Sequence, residues 1–160
     1  MKICVIYHSE TGNTRHVAQH IASKYDAKLV EVCETAHHFR ATRFLTWCKM
    51  ARGEELTKIE PDEIEVSGFD ILIFASPVWA FKPTPVIHTA IQALKGCEGK
   101  RAIAISTHGG RPGETEETFI RWINNRGMRI LGTADFPMKD IENEKKTQAL
   151  YALIESVRKA

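Results

Sequence analysis

Residues 3–14 read Ile3-Cys4-Val5-Ile6-Tyr7-His8-Ser9-Glu10-Thr11-Gly12-Asn13-Thr14. Ile3 to Tyr7 is a short apolar run of strand length. A polar turn follows and leads straight into Asn13 to Tyr25, where Val17, Ala18, Ile21, Ala22 and Tyr25 share one helical face. A helix N-terminus offers unpaired backbone N–H groups and the positive end of the helix dipole. Ser9, Thr11 and Thr14 add hydroxyl donors, and Gly12 lets an anion approach the backbone closely. These are the parts of a phosphate cradle that has no lysine. The same residues also suit a polar turn in which Thr11 or Asn13 caps the helix. The pattern is neither GxxxxGK[ST] nor GxGxxG.

Outward from this stretch the chain keeps alternating. Lys28 to Cys33 reads as a strand, and Phe69 to Ala75 is apolar on both faces, as a central parallel strand should be. Thr84 to Leu94 is helical through Val86, Ile87, Ala90, Ile91 and Leu94. Arg101 to Ser106 is a strand, and Glu114 to Arg126 a helix through Phe119, Trp122 and Ile123. Met128 to Phe136 is a last strand, and Glu144 to Arg158 a last helix through Leu150, Leu153, Ile154 and Val157. Thr35 to Gly68 is the least regular part, with a helix suggested by Phe44, Leu45 and Cys48. Five strands alternating with helices predict an α/β fold with a parallel sheet covered on both faces. Ligands in such sheets bind at the carboxyl ends of the strands, where the strand order reverses.

The 160 residues suit one domain, 1–160, with a core large enough to need no disulfide or metal staple. No apolar run approaches the ~20 residues of a membrane span. No signal-peptide pattern opens the chain, so a cytoplasmic protein is expected. The net charge of +2, without a long basic block, argues against nucleic acid. Cys4, Cys33, Cys48 and Cys97 form no CxxC and no zinc-finger spacing, so neither a metal nor an iron–sulfur cluster is expected. Cys4 and Cys33 read as small buried hydrophobes. The adjacent His37 and His38 read as solvent-exposed.

Ser9-Glu10-Thr11-Gly12-Asn13-Thr14 resembles the flavin mononucleotide (FMN) phosphate loop of the flavodoxin family, [Ser/Thr]-x-Thr-Gly-x-Thr, placed directly after the first strand. The likeness in element order covers essentially the whole chain. It implies a three-layer fold with five parallel strands in the order 2-1-3-4-5 and FMN at the switch point. The loop Ser76-Pro77-Val78-Trp79-Ala80-Phe81-Lys82-Pro83 then corresponds to the one that sets an aromatic residue, here Trp79, against the isoalloxazine ring. Thr107-His108-Gly109-Gly110-Arg111-Pro112-Gly113 corresponds to the loop that closes the other side, with N–H groups free for the pyrimidine carbonyls. A response regulator would need acidic residues after the first strand and an aspartate ending the third, where this chain has His8-Ser9 and Ser76. A tyrosine phosphatase would need Cys-x5-Arg, and a serine hydrolase G-x-S-x-G; neither is present.

The resemblance leaves three readings. One is an electron carrier docking a redox partner protein, and this one stands first. The second is an FMN-dependent NAD(P)H:quinone-type oxidoreductase, and the third a flavin-free interaction domain. Two features sit badly with a typical carrier: the net charge is positive, and Ala80 follows Trp79 where flavodoxins often have glycine. With Lys82, Arg111, His8 and His108 in the loops and Glu10 as their one acid, reduced, anionic flavin is expected to be favoured. Little one-electron-reduced flavin should then accumulate. The phosphate is expected to be held without a cation from the loop itself.

Overall fold

The computed structural model describes residues 1–38 and 41–160. Five parallel strands form its centre: β1 (Ile3–Tyr7), β2 (Lys28–Glu31), β3 (Ile71–Trp79), β4 (Arg101–His108) and β5 (Arg129–Pro137). Their order is β2-β1-β3-β4-β5, and Lys82–Pro83 adds a sixth, antiparallel strand to the end of β3. Among the described residues five α-helices surround them: α1 (Asn13–Tyr25), α2 (Arg43–Arg52), α3 (Pro85–Gln92), α4 (Thr115–Asn125) and α5 (Glu144–Lys159).

Successive strand residues point to opposite faces, so the sheet builds two cores. Ile3, Val5 and Tyr7 of β1, Ile71 and Ile73 of β3, and Ile103 and Ile105 of β4 meet Val17 and Ile21 of α1 and Leu150 and Ile154 of α5. Cys4, Ile6, Leu72, Phe74 and Ala104 face α3 and α4 through Ile87, Ile91, Phe119, Trp122 and Ile123. Burial of large aliphatic side chains contributes roughly 1.5–3 kcal/mol each before chain entropy is counted. The N-terminus of α3 is fixed by Thr84, whose hydroxyl accepts from Ile87 N at 3.3 Å, with Pro85 opening the first turn. Among the described residues no helix is long and apolar enough to cross a membrane.

The structure differs from the sequence expectations in several places, and one is the fourth strand, which does not end at Ser106 but carries Thr107 and His108 as its last residues. The third strand does not end at Ala75 but runs on to Trp79, so Ser76 to Trp79 are strand residues. The second strand ends at Glu31, and Cys33–Glu34 turns away to pair with Ile59–Glu60. Alternation past the buried Val32 leaves Cys33 exposed, while Cys4 is buried as expected; burial pushes the Cys4 thiol up to about 12. In the irregular segment, two of whose residues lie outside those described, α2 buries Trp47 and Ala51 rather than Phe44 and Leu45, which are exposed. It packs on the end of β3, the Lys82–Pro83 strand and α3 rather than flat on the sheet. Only a narrow i, i+4 stripe is covered. Finally, His37 is exposed but His38 is half-buried, its Nε2 3.0 Å from Glu34 Oε1.

Candidate flavin site

The loops after β1, β3 and β4 lie side by side, because those three strands are neighbours and α1 and α3 leave β1 and β3 on opposite faces. In the first loop Ser9 Oγ accepts from Gly12 N and Arg15 N, both at 3.2 Å, and Asn13 Nδ2 donates to Thr11 Oγ1 at 3.1 Å. Ser9, not Thr11 or Asn13, therefore ties down the start of α1. Gly12 stands at φ +95, a left-handed angle that glycine adopts freely, and the space beyond its Cα is open. Thr14 is buried, its hydroxyl 2.8 Å from that of Thr107, which joins the first loop to the third. Thr11 is exposed.

Two charges at this loop differ from expectation. Glu10 Oε1 accepts from Arg43 Nη2 at 2.9 Å, so a guanidinium from α2 stands at a loop that contains none of its own among residues 8–14. His8 is buried, its Nδ1 donating to Val32 O at 2.9 Å. Burial lowers its pKa, with the Val32 carbonyl and Glu10 pulling the other way. It is a neutral ring rather than a cation.

The second loop is a tight hairpin. Trp79 pairs with Lys82, and the two residues between them, Ala80 and Phe81, have φ +47 and +68. A turn of this kind normally takes Asn-Gly. The left-handed angle at Ala80 is thus already present in this structure, without any flip. Ser76 lies under the hairpin, fully buried; its hydroxyl donates to Pro77 O at 2.8 Å and accepts from Thr84 N at 3.0 Å. Pro77 and Val78 are half-buried and carry the strand to Trp79. The Trp79 ring stacks on Trp47 of α2, with centroids 4.5 Å apart and planes 10° from parallel, and His8 meets it edge-on at 5.6 Å. Arg43 covers Trp47 in turn, 3.8 Å from the ring centroid. Lys82 is not a free cation: its Nζ lies 2.6 Å from Glu54 Oε1 and 3.4 Å from Glu114 Oε2.

The third loop leans on both neighbours. His108 is buried, with Nδ1 3.0 Å from Gly110 O and Nε2 3.3 Å from Asp135 Oδ2 at the end of β5. Gly109, Gly110 and Arg111 are exposed, and Gly110 has open space beyond its Cα. Gly113, at φ +58, sits where a Cβ would lie 2.3 Å from Phe81 Cβ, and Glu114 N donates to Phe81 O at 2.9 Å. Only glycine permits this approach.

The sequence reading missed Arg43, Trp47, Glu54, Glu34 and Arg121. Arg43 and Trp47 did carry a signal, an i, i+4 cation–aromatic pair. Glu34 is held below the usual carboxylate range: its burial raises the pKa, but hydrogen bonds from Thr57, His38 and Trp47 outweigh it. It anchors Trp47 Nε1 at 2.7 Å.

These residues fit FMN. The first loop offers hydroxyls, a helix N-terminus and open space at Gly12, and its one carboxylate is drawn off by Arg43. Trp79 supplies a flat aromatic surface, and Gly110 an open stretch of backbone.

Comparisons with known proteins agree. No curated protein matches the chain in sequence. A flavoprotein from Lactobacillus acidophilus, solved in complex with FMN, is 21% identical over 90% of this chain and 98% of its own, with a TM-score of 0.68. The two-electron reduced flavodoxin of Megasphaera elsdenii is 18% identical over 99% of both chains, with a TM-score of 0.62. An NADH:FMN oxidoreductase in its apo form is 14% identical over 99% of this chain and 89% of its own, at 0.63. At these identities the likeness establishes the flavodoxin-like fold. The sequence model of the NADPH-dependent FMN reductases matches residues 1–156, all three loops included, and the chain belongs to that family.

Proposed function

We propose that the protein is an FMN-dependent oxidoreductase that takes hydride from NAD(P)H and passes two electrons to a quinone or another small acceptor. The observation that carries this reading is the family match over residues 1–156. It reverses the order given by the sequence alone, in which the electron carrier stood first. FMN, when bound, supplies the hydride-accepting and electron-donating chemistry, and the chain supplies its seat. In this reading the N-terminus of α1 with Thr11, Gly12 and Asn13 binds the phosphate. Ser9 and Thr14 hold that loop in shape. Trp79 and Phe81 orient the ring system, while Ser76, Pro77, Val78 and Ala80 set the strand and turn that present them. Backbone N–H groups of Gly109, Gly110 and Arg111 face the polar edge of the ring, with Thr107, His108 and Gly113 fixing the loop. Glu10 acts through Arg43, which it holds at the phosphate end.

The carrier reading keeps one observation in its favour. Phe81 and Met138 are 55% and 46% exposed, and Met138 lies against Gly109, an apolar rim that suits contact with a protein. The test is steady-state NADPH and NADH oxidation by FMN-loaded protein with a quinone acceptor. Multiple turnovers per flavin support the reductase. Reduction by a partner protein only, with no turnover on either nucleotide, overturns it.

A further inference from the structure

Four described non-glycine residues have left-handed backbone: Asp26, Glu54, Ala80 and Phe81. Such angles are disfavoured for residues with a Cβ and persist where surrounding contacts impose them. Asp26 closes α1. The other three meet at one junction. Helix α2 ends at Arg52, and Gly53, the residue best suited to a left-handed angle, is right-handed at φ −80. The left-handed position falls instead on Glu54, at φ +52.

A glutamate there supplies a carboxylate, which glycine lacks. It accepts from Arg121 Nη2 at 2.6 Å and Nη1 at 2.8 Å, from Trp122 Nε1 at 3.0 Å and from Lys82 Nζ at 2.6 Å. Arg121 and Trp122 belong to α4, and Trp122 is itself held by a parallel His88 ring at 3.8 Å. Lys82 is the residue that closes the hairpin around Ala80 and Phe81. The Arg121 hydrogen bonds, with those from Lys82 and Trp122, hold the Glu54 carboxyl well below the usual range against the opposing effect of burial.

We propose that Glu54 is a positioning residue of the flavin site: it clamps the Trp79–Lys82 hairpin to α4 and, by pairing with Lys82, offsets the positive charge that this residue brings to the ring-side loop. This rests on reading the three loops as the FMN site. Reduction adds negative charge to the flavin, so a Lys82 ammonium left with only the exposed Glu114, 3.4 Å away, favours the reduced form.

The test compares FMN-loaded wild-type protein with Glu54→Gln, Lys82→Gln and the double variant. Three quantities are read: the dissociation constant of oxidised FMN, the two-electron midpoint potential and the far-UV circular dichroism. Glu54→Gln is expected to weaken oxidised FMN about tenfold. It should also raise the ratio of reduced to oxidised affinity about tenfold, a shift of about +30 mV for a two-electron couple. The double variant should lose that shift while keeping the weakened affinity, which a merely structural role for Glu54 would not produce. If Glu54→Gln fails to fold, Lys82→Gln carries the test, and it must weaken FMN about tenfold with its fold intact. An unchanged potential in a folded Glu54→Gln, a double variant that retains the whole shift, or unchanged affinity in Lys82→Gln overturns the proposal. Wild-type protein that takes up no FMN overturns the site assignment and this proposal together, whereas failure of the variants alone overturns only the role of Glu54.

Discussion

In the loop of residues 8–14 the bonds that shape the turn itself are local, although Thr14, Glu10 and His8 also reach Thr107, Arg43 and Val32. Ser9 reaches Gly12 and Arg15, and Asn13 reaches Thr11, within six residues along the chain. Its one left-handed residue is a glycine in open space. The Trp79–Lys82 hairpin is assembled the other way. Its two turn residues are left-handed without being glycine, and its contacts come from Trp47, Glu54 and Gly113 in distant segments. A relaxed turn shaped by its own residues tolerates change elsewhere in the molecule better than a strained one. A strained one depends on whatever opposes the strain. The phosphate end of the site should therefore respond less to substitutions far outside it than the ring end does.

The largest effect that would sharpen this contrast is acid unfolding. Glu54 and Glu34, both bracing the ring end, have folded pKa values below that of a free glutamate. Their stabilisation is complete above about pH 4.3 and is lost as the pH falls through their folded values. His8 and His88, lowered chiefly by burial, are neutral in the fold, so their contribution is complete above about pH 6.5 and declines below it. Denaturant titrations of wild-type and Glu54→Gln protein should differ most near pH 7 and converge towards pH 2. A constant difference across that range would break the link between this carboxylate and the ring end.

Gly113→Ala comes next. Its new Cβ falls 2.3 Å from that of Phe81, at a left-handed angle, so one of the two loops must move. A loss of about 2–4 kcal/mol in stability is expected, together with weaker FMN binding. Normal binding in a normally stable variant would show that the two loops do not brace each other.

Trp79→Ala should weaken FMN by about 2 kcal/mol through lost aromatic contact. It should also remove most of the tryptophan quenching that FMN causes, and it leaves Trp47 without its stacking partner. Quenching that survives would pass the stacking role to Trp47.

Thr11→Ala and Thr14→Ala should separate at the phosphate end. The exposed Thr11 is expected to cost about 1.5 kcal/mol of FMN affinity, the scale of a hydrogen bond to a charged group, with no change in melting temperature and none in the already weak binding of riboflavin. The buried Thr14, bonded to Thr107, should cost stability as well. Equal affinity of the wild-type protein for FMN and riboflavin would break the phosphate assignment.

The smallest effect is a gain. Ala80→Gly relieves a left-handed alanine and should stabilise the protein by about 0.5–1 kcal/mol, after the greater unfolded-state freedom of glycine is subtracted. A loss on chemical denaturation would mean that the turn is not strained at this position.

The sequence by itself determined the five parallel strands, their helices and roughly where the three loops fall, though the strands before the second and third loops run on into them. Those follow from short apolar runs for the strands and period-3.6 patterning for the helices, which are properties of consecutive residues: once Ile3 to Tyr7 is a strand, Ile3, Val5 and Tyr7 take one face and Cys4 and Ile6 the other. The first loop was legible for the same reason, since its donors and its glycine are contiguous. Only the tertiary structure decided the charge and shape of the ring end. Lys82 reads as a free cation until Glu54, 28 residues away, closes on it. Trp79 reads as an open platform until α2, a helix with one narrow buried stripe in the least periodic part of the chain, lays Trp47 on it. Coulombic pairing, ring stacking and steric contact depend on distance in space. Where the chain supplies the partners from 28, 32 and 67 residues away, as for Lys82–Glu54, Phe81–Gly113 and Arg121–Glu54, no local pattern encodes them.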